Sequence, residues 1–385
     1  MGLRLQAQHR VYAAFFLYAF SMGGLYPRLA EIQRQMGVAE GELGLALIGV
    51  ATGTLLSLTF LAPLLPRLGA RATVLVLLPG IAVSFGAASH AGSPLAMYAM
   101  LVAAGLCMGC VETVVNLEAD RVEHQIGRRI MNRAHAFWSF GFFGVGSFSA
   151  MASRLQWSPQ WQLGLTVPLV LLATLLLLGR FEAAPARKAE ACHDATAPRW
   201  AAPTPGILLL VACCVSALML EGAGIDWSAI YMRDVFHTTA STGAMAVSVL
   251  ALAQAGTRFF ADTFVERWSP VPIARGLLSL LLLGAVLVAL AWHPLAAMAG
   301  FALIGIGSSA IFPLAMSAAA QRTDRPAAVN VAALAQSAFV SYLLAPPLLG
   351  FVAQHGGTRW SYGVCLPFVV LGLATCHALA PRGKA

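Results

Sequence analysis

Charge is what this chain has least of. Lys, Arg, Asp and Glu make up 10% of its 385 residues, against 59% hydrophobic residues, where a soluble domain carries about a quarter charged residues. That shortage excludes an aqueous fold for most of the chain and makes lipid its principal solvent. Paired cysteine spacing is also missing. The seven cysteines, at 107, 110, 192, 213, 214, 365 and 376, lie mostly inside apolar runs and read as small buried hydrophobes rather than a disulfide framework. Cys192-His193-Asp194 has no second cluster of ligands nearby, so no metal is expected. The sequence also lacks a nucleophile elbow, a phosphate loop and a filter-like ring, which argues against an enzyme and against a channel. No small-residue cleavage site closes the first apolar run, so that run is expected to be a membrane helix rather than a signal peptide.

What is present is a series of apolar runs of spanning length. They predict helices near 10–34, 41–66, 72–90, 94–119, 131–153 and 160–180, then 205–234, 241–266, 271–292, 294–319, 327–353 and 359–381. Between the two sets, 181–204 is rich in Ala, Pro and charge with no apolar period, and reads as a linker. The expectation is an all-α integral membrane protein of twelve transmembrane helices in two six-helix halves, 1–180 and 205–385. Equal halves suggest an internal duplication of the kind found in secondary transporters.

Basic residues set the orientation. With the N-terminus inside, 19 of the 24 Lys and Arg fall in cytoplasmic segments and 5 on the other side, so both termini are expected in the cytoplasm of a plasma (inner) membrane protein. The same asymmetry accounts for the net charge of +8 without nucleic acid. The expected partners are membrane lipid and a small-molecule substrate, and the expected state is a monomer.

Aligned at an offset of 200, "LAPLLPRLG" (61–69) falls on "ADTFVERWS" (261–269), with Arg67 on Arg267. Here the chain resembles the major facilitator superfamily, whose signature in these loops is a Gly-rich helix end, an acid and then basic residues. Asp262 and Arg267 match the acid and the base; in the first half Ala62 stands where the acid would be. The resemblance implies a cytoplasmic latch built from Asp262, Arg258 one turn back, and Arg267.

Polar residues inside apolar helices are the candidate site. Glu112 interrupts a long apolar stretch; at ~1.5 Å per residue it lies about 13 Å from the charges that end its helix. Asn116 and Asp120 follow at steps of four, so the three share one face, which points toward a cavity or a partner rather than lipid. "ETVVN" (112–116) resembles the Glu-x-x-x-Asn element of the fucose-permease branch. That resemblance implies proton coupling at Glu112 and a substrate or hydrogen-bond role for Asn116. "GRRIMNRAHAFWSFG" (127–141) resembles the following run in related permeases and brings His135, Trp138 and Ser139 into consideration. "LEGAGIDWSAIYMRD" (220–234) resembles the seventh helix of the same branch. Glu221 is the second proton-coupling candidate, Trp227 a platform for a solute, and Asp226 an external gate with Arg28. Tyr26, Gln254, Asn330 and Gln336 complete the expected cavity.

The reading reached is a secondary active transporter taking up a small polar, sugar-like solute with protons by alternating access, with no cofactor other than the coupling ion. The alternative is an exporter of amphipathic or drug-like compounds. Two absences weigh against export: "AMYAMLVAAGLCMGC" (96–110) lacks the early Arg of proton-antiporter branches, and "FGFFGVGSFSA" (140–150) lacks their Gly-Pro element.

Overall fold

The computed structural model describes residues 5–61, 65–128, 130–185 and 201–380, without the side chains of Pro66, Asp262, Glu266, Ala327 and Ala328. Twelve membrane segments follow one another. They are α1 (Ala7–Gly23, continued by Tyr26–Arg28 and Leu29–Met36), α2 (Glu40–Leu56, extended by a π turn over Ser57–Leu61), α3 (Ala70–Ala88), α4 (Pro94–Ile126), α5 (Met131–Arg154) and α6 (Pro159–Leu178). The second six are α7 (Pro205–Phe236), α8 (Ala240–Trp268), α9 (Pro270–Ala289), α10 (Pro294–Ser308 and, after a break, Ile311–Ala320), α11 (Ala327–Gly356) and α12 (Thr358–Gly363, then Leu366–Thr375 and Cys376–Leu379).

Several starts are written locally. Ser93, Ser158 and Thr204 each accept the backbone N–H three residues on, and each is followed by a proline at the first helical position, where the missing N–H is no loss. Among the described residues, ten segments are long and apolar enough to cross a membrane. The other two are α1, which breaks at Gly23-Gly24, and α5, which Asn132, Arg133, His135 and Ser139 make more polar.

Helices α1–α6 and α7–α12 repeat one packing pattern. In the first half α4 packs on α2 and α3, α1 on α5, and α3 on α6; in the second α10 packs on α8 and α9, α7 on α11, and α9 on α12. The closest crossings repeat at the level of single atoms. A Cβ on Gly105 would strike the Val50 carbonyl and stand 2.8 Å from the Thr54 nitrogen. A Cβ on Gly305 would strike the Leu250 carbonyl and stand 3.3 Å from the Gln254 nitrogen. Each contact recurs at the offset of 200, so the duplication is visible in the backbone. Small residues let backbones approach where lipid offers no hydrophobic drive to helix association.

The halves meet along two seams, α5 on α8 and α2 on α11. Gly146 backs onto Ser248 in the first seam and Gly44 onto the Pro346 carbonyl in the second, where added Cβ atoms would stand 2.5 and 2.6 Å away. The start of α1 and the two described ends of the linker lie on one side: Arg10 approaches Glu182 at 4.0 Å and its guanidinium lies over the Phe181 ring. We call this the linker side and the opposite one the far side.

A cleft between the halves

On the far side the halves are tied together. Arg233 at the end of α7 donates to the Ala30 carbonyl at 2.7 Å and to Gln33 Oε1 at 2.8 Å, both in the first half. Gln33 in turn donates to Glu40 at 3.0 Å. Gln354 of α11 accepts from the Gly41 N–H at 3.2 Å, and Ser241 of α8 donates to the Ala150 carbonyl of α5 at 2.9 Å.

The pair expected there, Arg28 with Asp226, is not the one formed. Arg28 is fully buried and bonds within its own half: to Glu31 at 2.6 and 3.0 Å, to the Trp157 carbonyl at 2.6 Å and to Gln162 at 3.3 Å. The reason is reach, because Glu31 stands one helical turn away and matches the guanidinium fork. Asp226 lies near Tyr26 with no cation beside it among the described residues. Tyr26 itself is buried, stacked on Phe142 at 5.8 Å.

Glu112 sits midway along α4. Its side chain has open surface and lies within electrostatic reach of Tyr18 on α1 and of Tyr342 on α11 in the other half, and we read it as lining a cleft between the halves. The Tyr18 hydroxyl of α1 faces its carboxylate. Asn116 turns back on its own helix and donates to the Glu112 carbonyl at 2.8 Å.

Across the cleft, Arg258 of α8 and Glu221 of α7 form an ion pair of 3.3 Å, both largely buried. Arg258 also donates to the Ser309 carbonyl at the break in α10 (2.9 Å) and crosses to the first half to reach Ser139 Oγ on α5 (3.1 Å). Its guanidinium stands 5.9 Å from the centre of the Trp138 ring. Ser139 donates to Gln254 Oε1 at 3.3 Å, a further bond between the halves. His135, one turn before Ser139, meets Phe15 edge-on at 5.0 Å and feels the charge of Arg258. Tyr342 of α11, with 39% of its surface open, lies within electrostatic reach of Glu221, Arg258 and Glu112 together. A buried pair of this kind is expensive to break: removing one partner strands the other charge at a cost of about 3–5 kcal/mol.

The remaining candidates lie elsewhere. Arg258 was expected at the latch; it stands ten residues before the end of α8, roughly 15 Å inside at the helical rise, where it pairs with Glu221. Arg267 lies over the ring of its neighbour Trp268, 4.9 Å from the centroid. The side chain of Asp262 lies outside the described residues. Trp227, expected as a platform, is 1% exposed, its ring against Gly350 of α11, and offers a solute no face. Asn330 donates to Asp324 at 3.0 Å on the linker side, and Gln336 accepts from the Ala201 N–H at 3.1 Å, holding the end of the linker. The residues that a reading of the sequence passes over are Tyr18 and Tyr342. Each is a phenol in the middle of an apolar helix, a placement that itself calls for a polar neighbour.

The fold and the cleft are those of a transporter. The family model of the Major Facilitator Superfamily matches residues 11–340 and again 209–384. The chain is 29% identical over 374 residues to the uncharacterised transporter y4wD of Sinorhizobium fredii, covering 96% of each chain. It is 26% identical over 382 residues to an uncharacterised MFS-type transporter of Yersinia pestis, covering 99% of this chain and 97% of that one. Among solved structures, the nucleoside transporter NupG superposes with a TM-score of 0.68 at 13% identity, over 97% of this chain and 98% of that one. A bacterial homologue of the lysosomal transporter Spinster, in an inward-facing and occupied conformation, superposes with a TM-score of 0.73 at 12% identity, over 97% and 96%. The chain belongs to the major facilitator superfamily: it is a multi-pass membrane transporter, not an enzyme.

Proposed function

We propose that the protein is a proton-coupled symporter of the fucose-permease-like branch, taking up a small polar, sugar-like solute across a bacterial inner membrane as a monomer. The linker side is then cytoplasmic, with both termini inside, and no cofactor is needed beyond the proton. The observation that carries this reading is Glu112. It is a carboxylate inside the membrane, open to the cleft between the halves, with a tyrosine hydroxyl rather than a cation facing it. A carboxylate so placed can take and release a proton as the cleft opens first to one side and then to the other. Glu221, by contrast, is already matched by Arg258. The halves, sealed on the far side by Arg233, rock about the α5–α8 and α2–α11 seams. The test is purified protein in liposomes carrying an internal pH dye, challenged with a panel of hexoses, deoxyhexoses and pentoses. Symport predicts that a transported sugar carries protons inward with it; sugar entry without proton movement, or proton efflux on entry, contradicts it.

A further inference from the structure

A cavity of about 380 Å³ opens on the far side, beside the tie that Arg233 makes between the halves. That volume falls in the ~300–1,000 Å³ range of small-ligand sites. Glu40, the first residue of α2, reaches it from the first half; Asp234 near the end of α7, and Arg359 and Trp360 at the start of α12, reach it from the second. Both acids are already met by a cation. Glu40 Oε1 accepts from Gln33 at 3.0 Å with Arg233 at 3.9 Å, and Asp234 Oδ1 accepts from Arg233 Nε at 2.5 Å. Their second oxygens, Glu40 Oε2 and Asp234 Oδ2, accept nothing among the described residues. Arg359 spends its Nη1 on the Ala289 and Ala291 carbonyls, at 3.4 and 2.6 Å, and its Nε and Nη2 donate to nothing among the described residues. Trp360 is 64% exposed. Its ring is backed by Gly356 and Gly363, where added Cβ atoms would stand 3.5 and 3.0 Å from it.

We infer that this cavity is a second binding site, separate from the cleft, for a neutral polyhydroxylated group: the ring of a free sugar or the headgroup of a sugar-bearing lipid. Charge selects against other small ligands. The two carboxylates are balanced by the guanidiniums of Arg233 and Arg359, so neither a metal cation nor an anion gains a net attraction to offset the water it gives up. Hydroxyl groups fit the atoms left open. The second carboxylate oxygens accept O–H in charge-assisted bonds, and Arg359 returns N–H donors to hydroxyl oxygens. The indole of Trp360 offers a flat apolar face to the C–H side of a sugar ring. The site takes from the proposed function only the placing of the far side outside the cell; it needs neither proton coupling nor Glu112. Standing at the seam that parts when the far side opens, it holds a sugar at the entrance to the cleft.

Val235, which also lines the cavity, reports its occupancy. Val235→Cys is made in an otherwise cysteine-free chain and held in lipid nanodiscs, which leave both faces open to a water-soluble thiol reagent. Hexoses, deoxyhexoses and pentoses are added one at a time. A sugar that fills the cavity should slow labelling about tenfold when it stands at about ten times its dissociation constant. Nanodiscs of phosphatidylcholine alone test the free sugar; nanodiscs containing glucosyl diacylglycerol, with no sugar added, test the headgroup. Trp360→Ala should remove the protection and Trp360→Tyr should keep most of it, whereas binding in the cleft predicts the same protection in both variants as in their parent. The site is overturned if neither sugar nor glycolipid slows labelling, the result for a Trp360 that serves only as an interfacial anchor, or if protection survives unchanged in Trp360→Ala. The two readings fail separately. Protection in a chain that moves no sugar in liposomes keeps this site and removes the proposed symport, and symport without protection does the reverse.

Discussion

The guanidinium of Arg233 in the second half donates to the side-chain oxygen of Gln33 in the first at 2.8 Å, and to the neighbouring Ala30 carbonyl at 2.7 Å. One side chain thus makes two of the bonds that tie the far side across the seam, beside those of Gln354 and Ser241. A hydrogen bond made by a charged donor contributes ~1.5–3 kcal/mol, so Arg233→Ala should raise the population open on the far side by about tenfold or more. A cysteine at Ala229, buried beside Pro27 and Ala30 under this contact, reports it through its rate of modification by an impermeant thiol reagent. An unchanged rate would show that Gln354 and Ser241 close the far side by themselves.

The repeated glycine crossing makes a second prediction. Gly105 and Gly305 meet backbone, not flexible side chains, so a larger residue forces the helices apart. Gly105→Val and Gly305→Val should each lower the melting temperature of the purified protein, with overpacking costs of about 1–3 kcal/mol or more. Gly164, whose added Cβ would meet nothing within 4 Å, should accept Ala without loss. Equal melting temperatures for all three variants would contradict the close crossing.

Asp324, in the turn between α10 and α11, gathers Arg322 (3.1 Å), Asn330 (3.0 Å) and the Thr204 hydroxyl at the start of α7 (3.2 Å). The hydrogen bonds from Arg322, ahead of those from Asn330 and Thr204, hold its carboxyl down at about 2. Because the folded value lies below the ordinary carboxylate value of roughly 4, its contribution to stability is present above that value and is lost as pH falls from there toward 2. Asp324→Asn should therefore lower the melting temperature near neutral pH, with the difference shrinking between pH 4 and pH 2. A difference that stays constant over that window would rule out the charge as its source.

Much of the fold could be read from the residues because a membrane leaves few choices. Apolar runs of about 20 residues must be helices, the polar stretch 181–204 must lie outside them, and the offset of 200 that pairs Arg67 with Arg267 also pairs Gly105 with Gly305. What could not be read is which side chains meet. Arg258 stands one turn from Asp262 along the chain, and the loop pattern drew it to the latch; only the rotation of α8 against α7 and α5 brings it to Glu221 and Ser139. Arg28 and Asp226 have opposite charges at similar depth, but Glu31 on the same turn decides the pairing. Trp227 and Tyr342 are both aromatic residues in apolar helices. Helix rotation buries the first against Gly350 and opens the second to the cleft, and a single strand of letters carries no rotation.

The proton role of Glu112 is tested most directly by one comparison in liposomes: counterflow exchange against accumulation driven by a pH difference alone, for Glu112→Gln and the unmodified protein, with a sugar that the unmodified protein accumulates. Glutamine keeps the shape of the protonated acid but carries no exchangeable proton. The expected result is exchange within about twofold of the unmodified rate, since under the proposed symport the neutral form crosses with solute, together with loss of accumulation, about 10-fold or more for each ~1.4 kcal/mol of coupling removed. Accumulation that survives in Glu112→Gln at the unmodified level would contradict the assignment and move the coupling role to Glu221.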